Sequence, residues 1–179
     1  SRKVWSGTTS VNLPADGVAN DVLEVEFPKE ISPVHFIKLR LFDADGKEVG
    51  SNFYWRSTDE YKGKKTLTGP TTAGFESLNR LGKAKVSMKY GIRKKEGRNI
   101  IDIRLRNAGR TIAFFTQLQI LDSKGKPVRP SFYTDNFFSM LPGETRTVTI
   151  ETAERPEGNS RLVLKGYNLQ SKDNYIDLK

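Results

Sequence analysis

Short runs of alternating apolar and polar side chains, each closed by a turn signal, recur through the second half of this chain about every ten residues. Ile101, Ile103 and Leu105 alternate with Asp102, Arg104 and Arg106. A period of two puts each set on its own face of a strand, and it cannot hold one apolar face on a helix. Lys85 to Tyr90, Thr111 to Leu121 and Arg161 to Asn168 read the same way. Lys94-Lys95-Glu96-Gly97, Asn107-Ala108-Gly109 and Asp122-Ser123-Lys124-Gly125 supply turns between them. The richest stretch is Ser131 to Glu151. Phe132, Tyr133, Phe137 and Phe138 crowd its first half, read here as one aromatic strand. Leu141-Pro142-Gly143-Glu144 makes a corner, and Val148 and Ile150 then share a strand face. Proline presets φ at the first central turn position and glycine takes the positive φ that follows, so a type II turn is expected. Short strands, frequent turns and no long helical pattern predict an all-β fold, a sandwich of immunoglobulin-like or fibronectin III-like type.

The first half carries a weaker version of the pattern. Val4 to Val11, Leu23 to Phe27, Phe36 to Phe42 and Glu48 to Trp55 read as strands, the last two joined by Asp43-Ala44-Asp45-Gly46. That tetrapeptide also resembles the start of a calcium loop, but Val49 and Asn52 occupy later ligand positions, so a tight hairpin turn is the stronger reading. From Arg56 to Gly82 the alternation dissolves, with one or two helical turns expected within Phe75 to Leu81.

Two internal matches compete. FDADGKEV pairs with LDSKGKPV and stops at the hairpin. LPADGVANDVLEVEFP pairs with LPGETRTVTIETAERP, each leading into a further strand (FIKLRL and RLVLKGY), so that this match covers two strands and a loop and is the preferred one. It makes residues 1–60 the back half of a truncated sandwich, 61–82 a linker with a short helical patch, 83–170 a complete sandwich and 171–179 a tail. Tandem sandwiches, the first incomplete, leave an unpaired sheet edge near the N-terminus, open to a covering neighbour or to dimerisation.

Composition excludes several classes. No apolar run is long enough to span a bilayer as a helix, so no membrane partner is expected. The start, Ser-Arg-Lys-Val-Trp, has no apolar leader and reads as a processed or excised piece. The absence of cysteine excludes disulfides and thiol catalysis. The net charge of +9 falls entirely after Arg80, and ten Lys/Arg against two acids lie between Leu81 and Arg110. Aromatics do not interleave with these cations, so a solvated sheet face or an acidic neighbouring domain outweighs nucleic acid as the explanation.

Candidates for chemistry are few. His35 is the one histidine and has no Ser or Asp at a catalytic spacing; no glycine-rich phosphate loop or metal-ligating cluster appears. No catalytic residue, cofactor or metal is expected. Flat exposed rings would suit the apolar faces of sugars, which singles out Trp55, Tyr133 and Phe137, although filling the core or the seam between modules is the stronger reading for such rings. Asp135-Asn136 inside an aromatic run is costly to bury unpartnered; the pair either ties down a bulge or faces a ligand.

GSNFYWRSTDEY at Gly50 to Tyr61 is similar to the end of the penultimate domain in large family-two glycoside hydrolases of the exo-β-D-glucosaminidase and β-mannosidase branch. FESLNRLGKAKVSM, TIAFFTQLQIL, Thr134-Asp135-Asn136-Phe137, Leu141 to Glu144 and Gly166-Tyr167-Asn168 resemble, in order, features of the final domain of those proteins. Phe132-Tyr133 stands where family members usually carry a Trp or similar residue. The resemblance implies a C-terminal portion of a retaining exo-glycosidase whose catalytic glutamates lie in an upstream (β/α)8 barrel. Its partners would be that barrel and the N-terminal domains, with carbohydrate near Asp135, Asn136, Tyr133, Phe137 and Trp55. Periplasmic or secreted localisation is expected with the parent enzyme.

Overall fold

The computed structural model describes residues 1–59, 74–153, 156, 158–170 and 174–178. The chain divides into one compact unit spanning Arg2 to Arg80 and another spanning Leu81 to Lys179 together with Ser1.

The N-terminal unit contains one antiparallel hairpin, β1 (Val34–Phe42) and β2 (Glu48–Ser57), and a short 3-10 helix at Glu76–Arg80. The helical patch is where the sequence puts it. Asp59 holds its start: its carboxylate accepts the Ser77 backbone N–H at 2.7 Å and the Ser77 hydroxyl at 2.7 Å. Those two bonds keep the Asp59 carboxyl below its ordinary range. Most of the expected linker, residues 60–73, lies outside the described residues. The strands expected at Val4 to Val11 and Leu23 to Phe27 do not form. The Leu13-Pro14 turn does close, with Gly17 N–H donating to the Pro14 carbonyl at 3.0 Å, but no strand follows it. Alternation alone lacks what makes a strand, a partner to complete the hydrogen-bond ladder. Among the described residues of this unit, Leu78 is the one buried apolar side chain.

The hairpin match between the two halves proves to be shared turn chemistry. Asp43 Oδ1 accepts the N–H groups of Asp45 and Lys47, at 3.1 and 2.8 Å; Asp122 Oδ1 accepts those of Lys124 and Lys126, at 2.9 and 2.8 Å. Gly46 and Gly125 share φ 77°, and Asp43 and Asp122 donate across to Lys47 and Lys126, so each loop is longer than a two-residue turn. Each aspartate is thus an internal cap rather than a metal ligand. Asp122→Ala should destabilise the sandwich by about 1 kcal/mol while Asp122→Asn retains most of it, measured by urea unfolding.

The C-terminal unit is a two-layer sandwich. One sheet has the order β3 (Val86–Lys95), β4 (Arg98–Asn107), β8 (Thr145–Thr152), β6 (Ser131–Tyr133). The other runs β10 (Tyr175–Asp177), β9 (Arg161–Lys165), β5 (Ala113–Leu121), β7 (Phe138–Met140). The alternation read from sequence sets the core: Ile101, Ile103, Leu105, Val148 and Ile150 from the first sheet join Leu118, Ile120, Met140, Leu162 and Leu164 from the second, all essentially inaccessible. The β3–β4 hairpin pairs Lys95 with Arg98 across Glu96 (φ 51°) and Gly97 (φ 77°). Two positive φ values in a two-residue loop give the turn whose twist matches that of the strands. At the corner, Gly143 takes φ 78° and Glu144 N–H donates to the Leu141 carbonyl at 3.1 Å, as the sequence predicts. The stretch expected as a tail supplies β10, and Leu178 beside it is buried in the core.

Candidate functional site

Ser131 to Met140, expected as one aromatic strand, is two. β6 pairs with β8 in one sheet and β7 pairs with β5 in the other, so Thr134 to Phe137 carries the chain across the edge of the sandwich. Two polar side chains hold this crossover. Asn136 Oδ1 accepts the Leu118 N–H at 2.8 Å while its Nδ2 donates to the Leu118 carbonyl at 3.0 Å, and Oδ1 also takes the Phe137 N–H at 3.1 Å. The amide therefore stands in for a strand partner of β5 where the ladder is interrupted. Asp135 is ion-paired with Arg146, whose guanidinium lies over the Phe138 ring at 4.8 Å from its centre. Arg146 comes from the core-facing row of β8, and the pair closes the edge of the sandwich.

The remaining candidates separate. Tyr133 packs on the core, its hydroxyl oxygen accepts the Ile120 N–H at 3.4 Å, and burial pushes the phenol up from its ordinary value. Trp55 belongs to β2 of the N-terminal unit, opposite Phe36. Phe137 is the candidate of the C-terminal unit that presents its ring outward, 53% exposed, on a backbone at φ 58°.

Phe137 is not alone. Its ring centre lies 5.7 Å from that of Phe115, which is 44% exposed at φ 50°. Phe115 adjoins buried Phe114 at 6.0 Å, and Phe114 meets half-exposed Tyr167 edge-on at 5.8 Å. A bulky residue in the left-handed region costs about 1–3 kcal/mol, so two side by side must be held in place. They are: the β5 register breaks between Ala113 and Thr116, and side chains satisfy the bulge. Ser139 Oγ accepts the Phe115 N–H at 3.1 Å, Asn168 Oδ1 accepts the Phe114 N–H at 2.9 Å, and Thr116 Oγ1 donates to the Phe138 carbonyl at 2.7 Å. Tyr167 N–H donates to the Phe114 carbonyl at 3.0 Å. The arrangement is a platform of mutually tilted rings on hydrogen-bonded backbone. Consecutive Phe114-Phe115 in a strand with one buried face was the available signal for Phe115, since adjacent residues point to opposite faces.

The exposed rings give the platform an apolar contact surface. The carboxylate beside it, Asp135, is engaged by Arg146. Among the described residues no group of three His, Cys, Asp or Glu side chains converges as a metal site. His35 lies edge-on to Phe27 at 5.5 Å, with its Nδ1 buried and without a hydrogen-bond partner. Within the basic stretch, Arg93 donates to Asp102 at 2.6 Å and Arg98 pairs with Glu151. The Arg93 hydrogen bond, assisted by Thr149, holds the Asp102 carboxyl below its usual range against partial burial.

Two antiparallel sheets, strand exchange at the crossover and a core drawn from both inner faces define an immunoglobulin-like β-sandwich. Residues 66–169 match the model of the exo-beta-D-glucosaminidase Ig-fold domain. The chain belongs to that family. It is 31% identical over 180 residues to the exo-beta-D-glucosaminidase of Streptomyces avermitilis, covering 94% of this chain and 20% of that protein. With the Amycolatopsis orientalis exo-beta-D-glucosaminidase it shares 30% identity over 179 residues, covering 94% of this chain and 17% of that protein. The crystal structure of the A. orientalis exo-chitosanase CsxA superposes with a TM-score of 0.71 at 28% identity, over 88% of this chain and 20% of that one. The exo-β-D-glucosaminidase side of the sequence resemblance is thus the one these relatives carry, and the chain spans about a fifth of their length.

Proposed function

We propose that this chain is the non-catalytic C-terminal accessory region of a retaining exo-acting glycosidase, with the catalytic carboxylates elsewhere in the same polypeptide. Its sandwich buttresses the catalytic barrel, and the crossover at Thr134 to Phe137 helps wall the sugar pocket. The observation that carries the reading is the ring platform, placed by strained backbone on a domain of the exo-β-D-glucosaminidase family. Flat rings with exposed faces suit the apolar faces of pyranose sugars. Phe137 is the contact residue in this reading, Asp135 and Asn136 fix its position, and Tyr133 supports from the core side. Trp55, 41% exposed, belongs to a unit with almost no buried apolar side chains among its described residues, which calls for cover from further structure. β1 and β2 pair only with each other among the described residues, so their outer edges offer that cover, or a second copy, a row of backbone groups.

Phe137→Ala in the full-length polypeptide should raise KM or lower kcat by roughly fivefold on a glucosaminide, with the unfolding midpoint unchanged. Unchanged kinetics would leave buttressing alone. Retardation of the 179-residue chain by chitosan or mannan in affinity electrophoresis, lost in Phe137→Ala, would instead favour an independent carbohydrate-binding module.

A further inference from the structure

The outer face of the β3-β4-β8 sheet carries a second, chemically different feature. Across it, Lys89 lies opposite Arg104 and Arg104 opposite Thr147; one row along, Ser87 lies opposite Arg106 and Arg106 opposite Thr145. All six side chains are exposed. The acids on this face, Asp102 and Glu151, sit in the rows beyond and are taken by Arg93 and Arg98. Among the described residues none of Lys89, Arg104 and Arg106 has an ion-pair partner.

Like charges directly opposite on a sheet are destabilising. A lysine on an edge strand deters strand addition, and Lys89 on β3 fits that purpose. Arg104 and Arg106 do not: β4 is an interior strand, paired on both sides, and has no edge to guard. We propose that these two rows form a binding surface for an extended acidic polypeptide segment with carboxylates at alternate positions. Side chains on one face of a strand repeat at about 6.7 Å, so Arg104 and Arg106 match the spacing of every second residue in an extended partner. Guanidinium forks take carboxylates in two parallel hydrogen bonds, and the Thr145 and Thr147 hydroxyls add donors alongside. The two rows hold no ring on which a sugar or base would stack; Phe132, exposed on this face, lies opposite Glu151 beyond them.

The test is fluorescence anisotropy of a labelled alternating Glu-Thr peptide with the 179-residue chain, at low and at physiological salt. Lys89→Gln/Arg104→Gln/Arg106→Gln should weaken binding about tenfold and flatten its salt dependence. Arg104→Gln/Arg106→Gln alone should account for most of that loss. A charge-matched control, Lys94→Gln/Lys95→Gln/Lys124→Gln, should change affinity by no more than about twofold. Equal loss in the control would reduce the effect to net charge and overturn the proposal. So would equal binding of a Gln-Thr peptide, or binding of a sulfated glycan fragment with none of the acidic peptide.

Discussion

Asn168→Ala should lower the unfolding free energy of the sandwich by about 3 kcal/mol. The side chain is 2% exposed, and its amide makes three hydrogen bonds to backbone: Nδ2 to the Gly82 carbonyl at 2.7 Å and to the Ile112 carbonyl at 2.8 Å, Oδ1 from the Phe114 N–H at 2.9 Å. Truncation leaves three backbone groups without that partner; the Ile112 carbonyl and the Phe114 N–H lie where water reaches poorly, and each such unsatisfied group costs about 1 kcal/mol or more. It also frees the start of β5 just before the bulge that carries Phe115. Urea unfolding of the 179-residue chain measures the loss; a midpoint that barely moves would mean that water replaces the amide.

Asn136→Ala comes next, at about 2 kcal/mol. Its amide bridges both backbone groups of Leu118, and the substitution leaves these facing the gap between β6 and β7. The comparison with Phe137→Ala separates structure from contact. Asn136→Ala should lower the denaturation midpoint, and any kinetic change in the full-length polypeptide should shrink as the assay temperature falls. Phe137→Ala should do the reverse, because its ring is exposed and the substitution keeps the backbone N–H that donates to the Asn136 amide. A stable Asn136→Ala protein with impaired turnover would transfer the contact role to the amide itself.

Local rules were legible where one residue type decides the geometry. Pro142-Gly143 gave the type II corner, Glu96-Gly97 marked a hairpin, and the alternation at Ile101, Ile103 and Leu105 identified an inward face. What depended on partners was not legible. Leu23 to Phe27 alternates as well as many true strands but has no neighbour to pair with. The match of LPADGVANDVLEVEFP to the LPGE corner extends to a turn only, whereas the shorter match between FDADGKEV and LDSKGKPV reflects identical capping by Asp43 and Asp122. The sheet exchange at Thr134 to Phe137 was hidden because the apolar run passes through it without a break. Asp135-Asn136 was the visible trace of it: a polar pair in an aromatic run, left open between fixing a bulge and facing a ligand, uses its side chains to fix the crossover. The platform was half legible, since Phe137 could be named from its run but the approach of Phe115 depends on the β5 bulge.

β10 bears on where this domain ends. The family match stops at Leu169, yet the sandwich does not. Ile176 pairs with Leu162, Leu164 N–H donates to the Asn174 carbonyl at 2.7 Å, and Leu178 N–H donates to the Ser160 carbonyl at 2.8 Å. A boundary drawn at Leu169 would strip the outer strand from β9 and take the buried Leu178 out of the core. In this chain the C-terminal unit therefore extends at least nine residues past the end of the family match, to the buried Leu178.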